Sequence, residues 1–204
     1  DGANPALVAL VGASAVAYVA LYVSHGFSLM TTVALVGTLF ALFLTTLLSA
    51  IAVEAARFTG FVTEESTLLT LFEGIDVTGL VLAGMVLGAA GALDDVTVTQ
   101  SSAVWQLRTV RPDASRTDLW RAGLRIGQHH IGSTVNTLLL AYLGASLPLA
   151  VLFILAEQSL GTVANSEVVA VEVIRTLVGS IGLVSAVPVT TWLAARIASG
   201  TGSG

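Results

Sequence analysis

Five stretches of this chain are apolar enough and long enough to cross a lipid bilayer, and few soluble folds could bury them all. They run from Pro5 to Ser24, Thr31 to Ala56, Val77 to Leu93 with a polar continuation to Leu107, Ile131 to Ala156, and Thr176 to Ala198. A membrane-crossing helix needs about 20 mainly apolar residues, whereas a barrel strand needs about 10 with strict alternation. The lengths therefore predict an all-α, polytopic transmembrane helical bundle of about five spans. Composition agrees: 55% of the 204 residues are hydrophobic and 10% charged, against about 25% charged in ordinary soluble domains.

Residues 1–198 are expected to form a single transmembrane domain, and 199–204, "SGTGSG" from Ser199, a flexible tail. Asp1 is not a Met and has no basic segment before the first apolar stretch, so the chain reads as the C-terminal part of a longer protein. The absence of cysteine excludes disulfides, thiolate nucleophiles and cysteine-bound metals. A net charge of -5 gives no reason to expect a nucleic-acid partner.

Arginine placement predicts orientation, because basic residues accumulate in cytoplasmic loops. Arg108, Arg111, Arg116, Arg121 and Arg125 follow the third segment and Arg196 closes the last, whereas Glu64, Glu65, Glu73, Asp76, Glu157, Glu167 and Glu172 sit in loops of the other side. Asp1 is then outside and the C-terminus cytoplasmic. Arg57 is the one misfit, and is expected to snorkel or to pair with Glu54. Within "RPDASRTDLWRAGLRIG", Asp113 or Ser115 can cap a short amphipathic helix with Leu119, Trp120, Leu124 and Ile126 on its apolar side. Such a helix would lie along the cytoplasmic surface, or else serve as a solvated basic connector.

The polar continuation, "LDDVTVTQSSAVWQL", carries the first chemical signal. Gly84, Gly88, Gly91, Asp95, Thr99, Ser102 and Gln106 recur in steps of three and four and share one helical face. The glycines Gly84, Gly88 and Gly91 would let another helix approach closely. An unbroken helix from Val77 to Leu107 would be about 46 Å long against a core of about 30 Å, so it must tilt, protrude or break. Asp94 and Asp95 point about 100° apart on a regular helix. The β-branched "VTVT" beside them makes a local opening plausible. A charge in hydrocarbon costs several kcal/mol, roughly 2.5 to over 10, unless water, a partner or a ligand compensates.

A second cluster, "GQHHIGSTVNTLLLAY", holds two stripes at equal spacing: His129, Ser133 and Asn136, and His130, Thr134 and Thr137. One of them is expected to face the bundle interior and meet Asp94 and Asp95 across an antiparallel helix pair. Carboxylate, imidazole, hydroxyl and amide groups so placed suit a cation, a proton relay or a metal, without the ligand set of a structural zinc site. The alternative reading is that both clusters merely cap helix ends at the interface. His25 reads as an interfacial residue. Pro148 and Pro188 each permit a kink. "LVGTLFALFLTTLL" (Leu35 to Leu48) and "LVGSIGLVSAVPVTTWL" (Leu177 to Leu193) echo each other across a gap of about one turn, a weak sign of a repeat.

The three strings "LDDVTVTQSSAVWQL", "HIGSTVNTLLLAYLGASLPL" and "RTLVGSIGLVSAVPVTT" resemble the YibE/F-like family of bacterial multispan membrane proteins, over essentially the whole chain. The resemblance implies upstream spans, an extracytoplasmic segment and a permease-type role in the bacterial cytoplasmic membrane. The matching positions are Asp94, Asp95, Thr97, Thr99, Gln100, His130, Ser133, Thr134, Asn136 and Thr137. The family favours an acidic residue at Gln106 and an Arg-Asp pair at Gln128 and His129, which places His130 before His129 as a site residue. The expectation is a permease or channel-like component for a small ion or polar solute, using an Asp-Asp/His/Asn site, with no cofactor. A non-transporting subunit or scaffold, including a homo-oligomer packed through its glycine face, is the alternative. An intramembrane enzyme ranks last, because the aspartates are adjacent and no second acidic cluster lies within a span.

Overall fold

The structure is a computed structural model that describes residues 4–60, 68–69, 72 and 75–200. Among these residues there are seven helices and no strand: α1 (Pro5–His25), α2 (Leu29–Ala56), α3 (Val77–Val110), α4 (Arg116–Ala145), α5 (Leu147–Leu155), α6 (Leu160–Ala164) and α7 (Glu167–Ala198). α1, α2, α3 and α7 are each long and apolar enough to cross a membrane, and α4 with α5 forms a fifth candidate bent by 45°. Glu64, Glu65 and Glu73, with residues 201–204 of the expected tail, lie outside the described residues.

Side-chain acceptors start the helices where the sequence offers them. Asn4, Ser28, Asp76, Ser115, Ser159 and Ser166 each accept from a first-turn backbone N–H, supplying a partner for donors that a helix cannot satisfy itself. Ser115, rather than Asp113, caps the Arg-rich segment. That segment is not a separate short surface helix: it runs without a break into the fourth span as α4. Leu119, Gly123 and Gly127 are its buried face there, so the apolar side meets protein. The break falls at Ser146, whose hydroxyl donates to the Tyr142 carbonyl, with Pro148 in the first turn of α5. Proline tolerates that position because its missing N–H has no intrahelical use there. Pro188 by contrast lies inside the continuous α7.

Contacts fix the directions. Thr38 of α2 meets Thr97 of α3, and Ser101 of α3 reaches back to the Met30 carbonyl, so α2 and α3 are antiparallel. Gln100 meets Gly123 of α4 and Thr191 of α7. α1, α3 and α7 thus run one way and α2 and α4 the other, with α3 touching α1, α2, α4 and α7. The core is built from Leu42, Met85, Val86, Leu93, Leu183, Val187 and neighbours.

At the end opposite the Arg-rich turn, Glu167 ties α7 to the chain leaving α2. Its carboxylate accepts from the Thr59 N–H at 2.7 Å, the Gly60 N–H at 2.8 Å and the Thr59 hydroxyl at 2.7 Å. Arg57 ends α2 in the left-handed region at φ 54, and it meets Glu54 through its backbone N–H and that residue's carbonyl. Among the described residues the only ion pair within 4 Å joins Arg175 and Glu172, so the expected Arg57–Glu54 pair is absent. Glu167→Ala should lower the melting temperature in mild detergent by about 2–6 °C, since charge-assisted bonds carry roughly 1–3 kcal/mol. An unchanged melting curve would show that the clasp carries no stability.

Candidate functional site

α3 does not open at "VTVT". It is one helix of 34 residues with Asp94 and Asp95 at its middle, not at the end of a span. Tertiary packing overrides the weak propensity of β-branched residues. Val96 and Thr97 are buried, and the Thr97 hydroxyl lies 3.0 Å from the Asp94 carbonyl and 2.6 Å from the Thr38 hydroxyl. At about 50 Å the helix is longer than the hydrocarbon core and must protrude or tilt.

Because the helix stays regular, the two aspartates separate. Asp95 is exposed; Asp94 is half-buried and turned toward α1 and α2, where it lies beside Thr38 and within electrostatic reach of His25. Its Oδ1 is buried without a hydrogen-bond partner. An unmatched carboxylate oxygen in such a place is costly unless a proton, cation or water meets it. His25 ends α1.

The sequence-predicted residues divide by direction. Thr97 and Gln100 are buried with Asp94 on the inner side, and Thr99 is half-buried. Gln100 Nε2 donates to the Gly123 carbonyl and to the Thr191 hydroxyl, each at 2.7 Å, so this side chain joins three helices. His130, Ser133, Asn136 and Thr137 are exposed, as is His129, and Thr134 is half-buried. Thr134 and Thr137 donate to the carbonyls of His130 and Ser133, on their own helix. Neither polar stripe of α4 therefore faces the interior. The reason is Gly123 and Gly127: an added Cβ at Gly123 would lie 2.7 Å from Thr191 Cγ2, and one at Gly127 2.8 Å from Gln100 Oε1. The smallest residues take the closest approach and rotate the imidazoles outward. His130, exposed on α4, is therefore not brought to the half-buried Asp94.

The glycine face of α3 receives side chains rather than a helix backbone. The Tyr142 hydroxyl would be 2.9 Å from a Cβ at Gly88 and the Arg175 guanidinium 3.6 Å from one at Gly84, while nothing lies within 4 Å at Gly91. Gln106 is exposed and donates to Ser102 at 3.1 Å. Among the described residues no three His, Asp or Glu side chains are grouped to hold a metal.

Sequence reading missed Thr38 and His25 as neighbours of Asp94. A signal was present in α2: Thr31, Thr38, Thr45 and Ser49 are all buried, at helix-compatible spacings of seven, seven and four. In an otherwise apolar span such a hydroxyl stripe marks the side that faces protein.

Residues 1–200 match the family model described as YibE/F-like protein. No curated protein and no solved structure matches the chain.

Proposed function

We propose that this chain, which belongs to the YibE/F-like family, is a permease or channel-like component for a small ion or polar solute, with Asp94 as the coupling carboxylate. The observation that supports it is the buried, unpartnered Asp94 Oδ1 at the middle of a spanning helix, with Thr38 and His25 beside it. A carboxylate there can exchange a proton or cation. In this reading the Arg-rich turn and the C-terminus are cytoplasmic, the amino end of the chain is outside, and the membrane is the bacterial inner membrane.

The test is flux in proteoliposomes, with H+, Na+ and K+ gradients imposed in turn. Asp94→Asn should reduce the flux carried by the wild type at least about ten-fold, as expected when an essential protonatable group is lost, while Asp94→Glu retains a measurable part. Wild-type flux equalled by a folded Asp94→Asn protein would overturn the reading, as would no flux for any of the three ions.

A second reading, a subunit that packs against a second copy or a related membrane protein, draws on the outward face. Asp95, His130, Ser133 and Asn136 are exposed on membrane-length helices, where hydrocarbon offers them no partners. A covering protein surface would supply those partners and could close a pathway along the face.

A further inference from the structure

Four helices pack around α3, yet one strip of it stays open. Gly91 and Asp95, one turn apart, are exposed there, and a Cβ at Gly91 would meet nothing within 4 Å. α4 carries a matching outer ridge. Its His129, Ser133 and Asn136 are exposed at spacings of four and three residues, which puts them on one face, opposite the buried Gly127 and Leu138. Beside them Gly132 is as open as Gly91. At Gly37, Gly123, Gly127 and Gly182, by contrast, a neighbouring helix takes the space of the missing side chain. Glycine weakens a helix that gains no contact from it.

The acid and the imidazole stand at one depth. Gln100 donates to the Gly123 carbonyl and its Oε1 lies against Gly127, so Gln100 is level with residues 123–127. Because α3 and α4 are antiparallel and rise equally per residue, stepping from Gln100 back to Asp95 matches the same number of steps forward on α4. Asp95 is then level with residues 128–132, His129 among them, and Gly91 with residues 132–136. Among the described residues neither Asp95 nor His129 has an ion-pair partner within 4 Å.

That arrangement is self-complementary. A two-fold axis along the membrane normal preserves depth, so it sets Asp95 of each copy level with His129 of the other. An imidazole N–H donates to a carboxylate whether the ring is neutral or charged. We propose that the chain pairs with a second copy of itself through this face, the α4 ridge of each copy lying on the open α3 strip of the other. Asp95 and His129 bond reciprocally across it, and Gly91 and Gly132 admit the close approach. The proposal rests on the reading that protein covers the outward face, and names that protein; it does not depend on flux through Asp94.

The test uses the full chain, which has no native cysteine. Gly91→Cys and Ser133→Cys, carried on separately tagged copies and reconstituted together in proteoliposomes, should form a mixed disulfide on oxidation. The rate should exceed by at least about ten-fold that of Ser133→Cys with Phe43→Cys, a position exposed on α2; reciprocal bonds within a membrane contribute about that factor. Asp95→His in both copies should remove most of this excess, and adding His129→Asp should restore it. Should the exchanged chain fail to fold, the comparison with Phe43→Cys decides alone. A rate equal to that control overturns the proposal, as does an unchanged rate in Asp95→His or no recovery in a folded double variant. A benzophenone attached to Ser133→Cys in the expressing membrane then separates the causes. Capture of a different protein would leave the face covered but the partner wrongly named, and capture of lipid alone would remove the covered-face reading as well.

Discussion

Gly37→Leu is expected to prevent the chain from assembling into a monodisperse folded protein. A Cβ at Gly37 would collide with the Thr190 hydroxyl and lie 3.3 Å from Thr97 Cγ2. Gly182 of α7 meets the Thr45 hydroxyl of α2 in the same way. The two antiparallel helices therefore cross through a reciprocal pair of contacts, each glycine opposite the other helix's threonine. Each threonine oxygen stands where a Cβ would be, against the glycine Cα–H, a position suited to a weak C–H···O contact. Both hydroxyls lack any other partner. Overfilling a packed interior costs about 1–3 kcal/mol and more where backbones must part, and leucine at this crossing must part α2 from α7. Gly37→Ala should cost about 1–3 kcal/mol, and Thr190→Ala should recover most of it by removing the nearest atom. Size-exclusion profiles and melting curves of the single and double variants measure this. A monodisperse Gly37→Leu protein with the wild-type melting temperature would contradict the crossing.

That crossing bears on what the sequence could reveal. The echo between the segments around Gly37 and Gly182 lies in the two helices that make the reciprocal contact, and the gap of about one turn it requires corresponds to Gly182 standing three residues beyond Gly179. Span positions were legible because hydrophobic length is a local property. The cap at Asp113 or Ser115 and the kinks allowed at Pro148 and Pro188 were legible only as alternatives, which packing resolves to Ser115 and to the bend beside Pro148. The rotation of α4 was not. Its two polar stripes have equal spacing, and which one turns inward depends on the fit of Gly123 and Gly127 against Thr191, Gln100 and Val187, residues far away in the chain. Asp94 and His25 stand 69 positions apart, and only the docking of α1 against α3 brings them within electrostatic reach. Helix ends also shifted: α7 begins at Glu167, because Ser166 caps it and Val171 is buried there, well before the apolar run at Thr176.

The seat of α4 gives the second large effect. Gly127→Leu should detach the Arg-rich end of α4 from α3 and α7, because a side chain there collides with Val187 and with Gln100 Oε1. Val187 is 1% exposed and Gln100 2%, so neither can yield without moving its helix. The expected loss is again above about 3 kcal/mol, combining overpacking with the hydrogen bonds from Gln100 to Gly123 and Thr191. Unlike the failure at Gly37, this one should be local. The chain has no native cysteine, so Thr38→Cys with Thr97→Cys reports the α2–α3 contact alone. The two hydroxyls lie 2.6 Å apart, and sulfur in their place comes within reach of a disulfide. Oxidation should still form that bond when Gly127→Leu is added and should fail when Gly37→Leu is added. The opposite pattern would make α4, not the α2–α7 crossing, the element on which the Asp94 environment depends.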